Sequence, residues 1–112
     1  MTPEAKVLAR VKKTAKALGL RFVRLSQAPG VEAGWPDAFV LGPHGCVLWV
    51  ETKAPGKPLR PIQKERARTL KSYDHQWCKP DAAEAVDAAL KDFSEYCEDM
   101  GSLLCSYDQG GR

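Results

Sequence analysis

The stretch that most constrains this chain is Gly42-Pro43-His44-Gly45, because it interrupts two runs of β-forming residues, Asp37 to Leu41 and Cys46 to Lys53. Pro43 suits the first central position of a type I turn, and Gly45 suits the left-handed position that closes a three-residue hairpin loop. Gly42 is then expected to pair with Cys46. Counting outward in antiparallel register, Leu41 meets Val47, Phe39 meets Trp49, and Asp37 meets Glu51 across the ladder on one face. Lys53, two residues on, shares that face. Ala38, Val40, Leu48 and Val50 take the other. With apolar residues on both faces, the two strands are expected to be central ones, covered by helices on each side.

Two carboxylates set opposite one another repel, and both stay ionised only at a cost unless a cation sits between them. Hard oxygen ligands of this kind suit Mg²⁺, which is commonly held by one or two carboxylates plus substrate, and Mn²⁺ fits the same donor set. Asp37 and Glu51 are the candidate ligands, the backbone carbonyl of Thr52 a further oxygen, and Glu4 a candidate third carboxylate. Lys53 would stand beside the metal-bound water and the scissile phosphate, either helping to deprotonate the water or neutralising charge in the transition state. Gln63 could hydrogen-bond that water or Lys53. Each residue also has a plain structural reading: Asp37 a strand start, Glu51 and Lys53 a salt bridge, Gln63 a solvated helix position. Their joint placement by the turn argument favours chemistry.

The rest of the chain supplies the frame. Thr2 and Pro3 open a helix to Leu18 with the apolar stripe Val7, Val11, Ala15 and Leu18, ended by Gly19. Arg21 to Leu25 reads as a first strand, and Ser26 to Trp35 as a loop that a ligand would order. Pro61 to Tyr73 reads as a second helix, with Ile62, Leu70 and Tyr73 inward. His75 to Lys79 is expected to return parallel to Cys46–Lys53, a right-handed crossover. A third helix runs from Asp81 to about Cys97 with the stripe Val86, Leu90, Phe93 and Cys97. Residues 1–98 form the expected domain, and 99–112 a tail, flexible or docked on a second copy. His44 and His75 lack metal-ligand partners at useful spacing. Trp35 stands where it could stack on a base or simply pack; Trp49 and Trp77 read as core or interface.

At 112 residues, 44% apolar and 28% charged, the chain suits one small domain with one modest core. It has neither an apolar run of membrane-spanning length nor a signal-peptide pattern, so a soluble intracellular protein is expected. Cys46, Cys78, Cys97 and Cys105 contain no C-x-x-C pair and read as reduced, mostly buried thiols. Charge is segregated: up to Tyr73 there are 14 Lys or Arg against 5 Asp or Glu, a net +9, and thereafter 3 against 9, a net −6. The basic front half points to an anionic partner, with nucleic acid foremost. Its candidate contacts are Lys6, Arg10 and Lys13 on the first helix and Arg60, Lys64, Arg66, Arg68 and Lys71 about the second.

Glu4, Gly34-Trp35-Pro36-Asp37, Glu51-Thr52-Lys53 and Gln63, in this order and spacing, resemble the virus-type replication-repair nuclease (VRR-NUC) family, a branch of the PD-(D/E)xK nucleases. The resemblance covers nearly the whole chain. It implies an α/β, restriction-endonuclease-like αβββαβ core, a mixed central sheet flanked by helices, here followed by a C-terminal helix. It also implies divalent-metal-dependent DNA cleavage, with Asp37 and Glu51 as ligands and Lys53 catalytic. Stand-alone members of this size look like phage or prophage proteins, working as homodimers on branched DNA such as Holliday junctions in the cytoplasm of a bacterial host. Two positions depart from the pattern. Arg60 precedes Pro61 where Ser or Thr would cap better, and Arg66 follows Gln63 where an aromatic residue is expected.

Overall fold

The structure, a computed structural model, describes residues 1–25, 30 and 32–110, with side chains through Leu103. Its elements are α1 (Pro3–Ala17), β1 (Arg21–Arg24), β2 (Ala38–Leu41), β3 (Val47–Val50), α2 (Pro61–Ser72), β4 (Gln76–Cys78) and α3 (Ala83–Gly110). The strands form one mixed sheet in the order β1-β2-β3-β4. β1 and β3 flank β2 in antiparallel fashion, and β4 lies parallel to β3 after the α2 crossover. This is the expected mixed sheet with flanking helices. Part of the predicted loop 26–35 lies outside the described residues.

The β2–β3 register follows the count from the turn: Leu41 pairs with Val47, Val40 with Leu48, Phe39 with Trp49 and Ala38 with Val50. Gly42 N–H donates to Cys46 O at 2.9 Å. The turn itself differs from the type I expectation. His44 and Gly45 both have positive φ, 62° and 75°, and Cys46 N–H donates to Pro43 O. Positive φ at both central residues is the signature of a type I′ turn, whose twist matches that of the flanking strands. A two-residue type I′ turn would by itself pair 43 with 46 and 42 with 47; here Gly42 N–H and Pro43 O both bond Cys46, so one extra residue is taken up beside the turn and Leu41 still meets Val47.

One face of the sheet carries the core. Val40, Leu48 and Val50 are buried against Val7, Val11 and Ala15 of α1 and Val86, Leu90, Phe93 and Cys97 of α3, and Ala38 on the same face is also buried. Each fully buried Val or Leu contributes roughly 1.5–3 kcal/mol relative to exposure, which makes this two-helix layer the main source of cohesion. The second face is covered only in part, contrary to expectation. Phe39 and Trp49 are half-buried, their rings 5.4 Å apart, and Trp49 Nε1 donates to His75 Nδ1 at 3.1 Å. Leu41 is exposed there.

Helix details diverge where side-chain contacts compete with periodicity. Thr2 Oγ1 accepts from Ala5 N–H, as an N-cap should. Leu18, expected in the stripe, is instead the exposed C-cap, and Leu20 beyond it is buried. On α2 the inward residues are Gln63, Ala67 and Leu70, whereas Tyr73, expected inward, is 75% exposed as the C-cap. α3 passes its expected end near Cys97 and continues to Gly110, so 99–110 is helix rather than tail. The hairpin tip packs on this added stretch: a Cβ at Gly101 would overlap His44 Nε2, so His44 lies directly on helix backbone. Cys46, Cys78 and Cys97 are free thiols; the Cys105 side chain lies outside the described residues. Burial pushes the Cys78 and Cys97 thiols up to about 12, the latter also through the neighbouring Cys46. No described helix is long and apolar enough to cross a membrane.

The hairpin base meets α3 equally closely at Gly42, where a Cβ would overlap Cys97 Sγ and come 3.2 Å from the Phe93 ring. Gly42→Ala is expected to cost about 1–3 kcal/mol through overpacking, read as a lower urea midpoint. Gly42→Ala in a Cys97→Ala background should cost less, and equal costs in the two backgrounds would refute the contact.

Candidate active site

The ladder between β2 and β3 stops at Ala38–Val50, and the next polar group shows why. Thr52 N–H points toward the β2 side, since Glu51 N–H and Lys53 N–H on either side of it donate to Cys78 O at the end of β4 and to Pro80 O just beyond it. In place of a backbone acceptor, Thr52 N–H meets Asp37 Oδ2 at 2.8 Å, and Thr52 Oγ1 donates to the same oxygen at 2.8 Å. A carboxylate thus replaces the main chain at the point where the strands part. Pro36, with no N–H of its own to offer a ladder, stands just before it.

The opening is lined by Glu4, Gly34, Trp35, Asp37, Glu51, Lys53, Arg60 and Gln63, around a cleft of ≈ 330 Å³. Glu51 is only 3% exposed, Lys53 9% and Gln63 8%. Gln63 does two things. Its Oε1 accepts from Arg60 N–H and its Nε2 donates to Glu51 Oε1, each at 2.8 Å. Only half of a capping box exists at this helix start, because the Arg60 guanidinium has no acceptor to return. Gln63 therefore ties α2 to Glu51, a partner not among those expected from the sequence, the water or Lys53.

Among the described residues, no protein donor reaches the second oxygen of either Asp37 or Glu51, yet no buried side-chain polar atom lacks a partner. Those oxygens are therefore open to the cleft. The Glu51 carboxyl is pushed up to about 8, chiefly by burial and then by the charges of Asp37 and Glu4, with Lys53 and Arg60 opposing. A hard divalent cation relieves the same repulsion, and an oxygen from each of two oriented carboxylates fits one. No group of three or more His, Cys, Asp or Glu side chains is arranged as a metal cage among the described residues. The fit is to an ion that takes further ligands from water or substrate. Thr52 contributes donors to Asp37, and its carbonyl is not among the hydrogen-bonded groups described.

Of the predicted DNA contacts, only Arg60 lines this cleft. Arg10 is committed elsewhere: its Nε and Nη2 donate to the Asp87 carboxylate on α3, which Thr14 Oγ1 also meets, and together they hold that carboxyl down to about 2. Arg66 is equally engaged. It pairs with Glu32, donates to Ala33 O and lies 5.0 Å over the Trp35 ring, so it braces the segment before Asp37. Gly34 permits this, since a Cβ there would clash with Ile62 at 2.6 Å. The departures noted at Arg60 and Arg66 thus have local roles. Lys71 sits over Trp77, and Lys6, Lys13, Lys64 and Arg68 are exposed outside the cleft. Sequence reasoning passed over Lys12 and Arg24, which line a neighbouring cavity together with Glu4 and Asp37. The signal was available: β1 pairs with β2, which sets Arg24 opposite Ala38 and next to Asp37.

No family model and no curated protein matches this chain. Solved structures do. One described as "VRR_NUC domain" matches at TM-score 0.73 and 25% identity, over 81% of this chain and 97% of its own. A second, "VRR_NUC domain protein", matches in fold at TM-score 0.66 and 21% identity, over 82% of this chain and 88% of its own. The architecture is that of a VRR_NUC domain, which supports the assignment to that nuclease family made on the Pro36-Asp37, Glu51-Thr52-Lys53 and Gln63 pattern.

The raised Glu51 carboxyl has a measurable consequence. Between about pH 4.5 and about 8 the metal-free folded chain holds a proton that the unfolded chain has released, so its stability falls as pH rises through that window. Thermal melts in EDTA should show Tm declining from pH 5 to pH 8, and Glu51→Gln should flatten the decline and raise Tm at pH 8. A variant with the parent's slope would show that the proton resides elsewhere.

Proposed function

Since the chain carries the VRR_NUC fold, that of a nuclease-family domain, we propose that it is a divalent-metal-dependent endonuclease. In this reading it hydrolyses phosphodiester bonds in branched DNA such as four-way junctions. One observation carries the proposal. Asp37 and Glu51 each have one oxygen fixed by a protein donor and the other open to a cleft that also holds Lys53 and Arg60.

Asp37 and Glu51, with Glu4 beside them, are the residues that would hold Mg²⁺ or Mn²⁺. When bound, the ion supplies Lewis-acid polarisation of the phosphate and a more acidic water. The chain's own groups do the rest. Thr52 orients Asp37 through two hydrogen bonds, and Gln63 orients Glu51 while capping α2. Lys53 brings a cation into a largely buried cleft, where low dielectric strengthens its pull on charge developing at phosphorus. Arg60 and the α2 N-terminus add favourable potential for a phosphate on the same side. The basic front half attracts the polyanion over a longer range.

Branched DNA is the substrate that the family resemblance implies. One chain offers one such cleft, and cutting two strands of a junction symmetrically calls for two copies, so a homodimer is part of the proposal. Light scattering that shows a monomer retaining full junction cleavage would remove the dimer from it.

Lys53→Ala is expected to lower Mg²⁺-dependent cleavage by about 10²-fold or more while DNA binding persists, and EDTA should abolish cutting by the parent. These are read on a panel of linear, flap, splayed and four-way DNA of matched sequence. A parent that binds this panel but cuts none of it with Mg²⁺ or Mn²⁺ is a DNA-binding module instead. Cutting confined to one sequence, whatever its branching, would make it a sequence-specific nuclease.

A further inference from the structure

Beside the acidic cleft lies a larger cavity of ≈ 510 Å³ between the first turns of α1 and the β1 edge. Glu4 and Asp37 line both, so the two spaces meet at that pair. The second space has a different chemistry. Its walls include Leu8, Ala9 and the half-buried ring of Phe22, and it carries two cations, Lys12 and Arg24. Arg10 and Arg66 are held in ion pairs, whereas no salt bridge or side-chain hydrogen bond engages Lys12 or Arg24 among the described residues. The volume is within the range of ordinary small-ligand pockets, roughly 300–1,000 Å³.

An apolar wall with an aromatic ring and two cations that have no partner among the described residues calls for a ligand that has both a flat face and phosphates. In duplex DNA the base faces are stacked on one another, and the outside offers only edges and backbone. An unpaired nucleotide offers its face. We propose that this cavity receives an unpaired nucleotide of the DNA strand that enters the acidic cleft. Its base lies against Phe22 and Leu8, and the flanking phosphates meet Lys12 and Arg24. The strand then passes Glu4 and Asp37 on its way to Glu51 and Lys53. This deepens the nuclease reading and rests on it for the direction of the strand: the site would select DNA with a single-stranded nucleotide next to the cut.

The test is binding without cutting, by fluorescence anisotropy in EDTA, of a labelled oligothymidylate of about 12 nucleotides and of a blunt duplex. Lys12→Ala with Arg24→Ala is expected to weaken oligothymidylate binding about tenfold. It should also lower the salt slope by about 1.4, some 0.7 for each single-strand phosphate that the variant no longer neutralises. Duplex binding should stay within about twofold. Ala9→Trp keeps the charge and, from an exposed helix position, fills the cavity. It should cause the same selective loss. The inference is overturned if the parent does not bind oligothymidylate, if both variants bind it as the parent does, or if single-strand and duplex binding fall together. The nuclease reading fails separately: selective loss in the variants of a parent that cuts no DNA leaves the nucleotide site standing, and metal-dependent cutting with unaltered variant binding leaves only the nuclease.

Discussion

The fold and the candidate site both turn on the place where β2 and β3 stop pairing. A hairpin ladder continues as long as each inward N–H finds a main-chain carbonyl, and here the Thr52 N–H finds the Asp37 carboxylate instead. That substitution satisfies the backbone, so the strands can part without leaving a buried donor unpaired. It also fixes the carboxylate by two donors on one oxygen. The gap that results is flanked by α1 on one side and the start of α2 on the other, which is how Glu4, Arg60 and Gln63 come to share it.

Around that gap the protein concentrates negative charge where it is hardest to keep. Glu51 is almost fully buried and feels the charges of Asp37 and Glu4, with Lys53 and Arg60 in opposition. An arrangement of this kind weakens the metal-free fold at neutral pH and is offset elsewhere by the α1–sheet–α3 core and the Arg10–Asp87 pair. Strain of this sort at one spot in an otherwise consistent fold is what a site for a cation and a phosphate would require. It is the physical support for reading the cleft as the place of reaction.

The basic residues divide in a way their numbers conceal. Counting Lys and Arg in the front half identifies an anion-attracting half-molecule but says nothing about which cations are free. Arg10 locks α1 to α3, and Arg66 braces Glu32, Ala33 and Trp35, so two residues that looked like DNA contacts are occupied in holding the fold together. Lys12 and Arg24, unremarkable in sequence, face a cavity continuous with the acidic pair. Electrostatic steering depends on the sum, whereas contact depends on the individuals.

What the sequence determined by itself was whatever local rules control. The register from Leu41–Val47 to Ala38–Val50 follows from counting outward from Gly42 and Cys46 with the two-residue period of a strand, and the ladder ends before Asp37 and Glu51. A type I′ turn stands in place of the type I turn, and the register holds because Gly42 and Pro43 both bond Cys46. The apolar stripes of α1 and α3 and the parallel return of β4 follow from helical period and crossover length. Only the tertiary structure decided what depends on neighbours distant in sequence. It carried α3 past Cys97 and set His44 on Gly101, turned Gln63 inward to bridge Arg60 and Glu51, exposed Leu18 and Tyr73 at helix ends, and paired Arg10 with Asp87. Each of these is set by a partner far along the chain or by the edge of a packed layer. Periodicity carries no information about such contacts, because they are chosen by the shape and charge of the assembled chain.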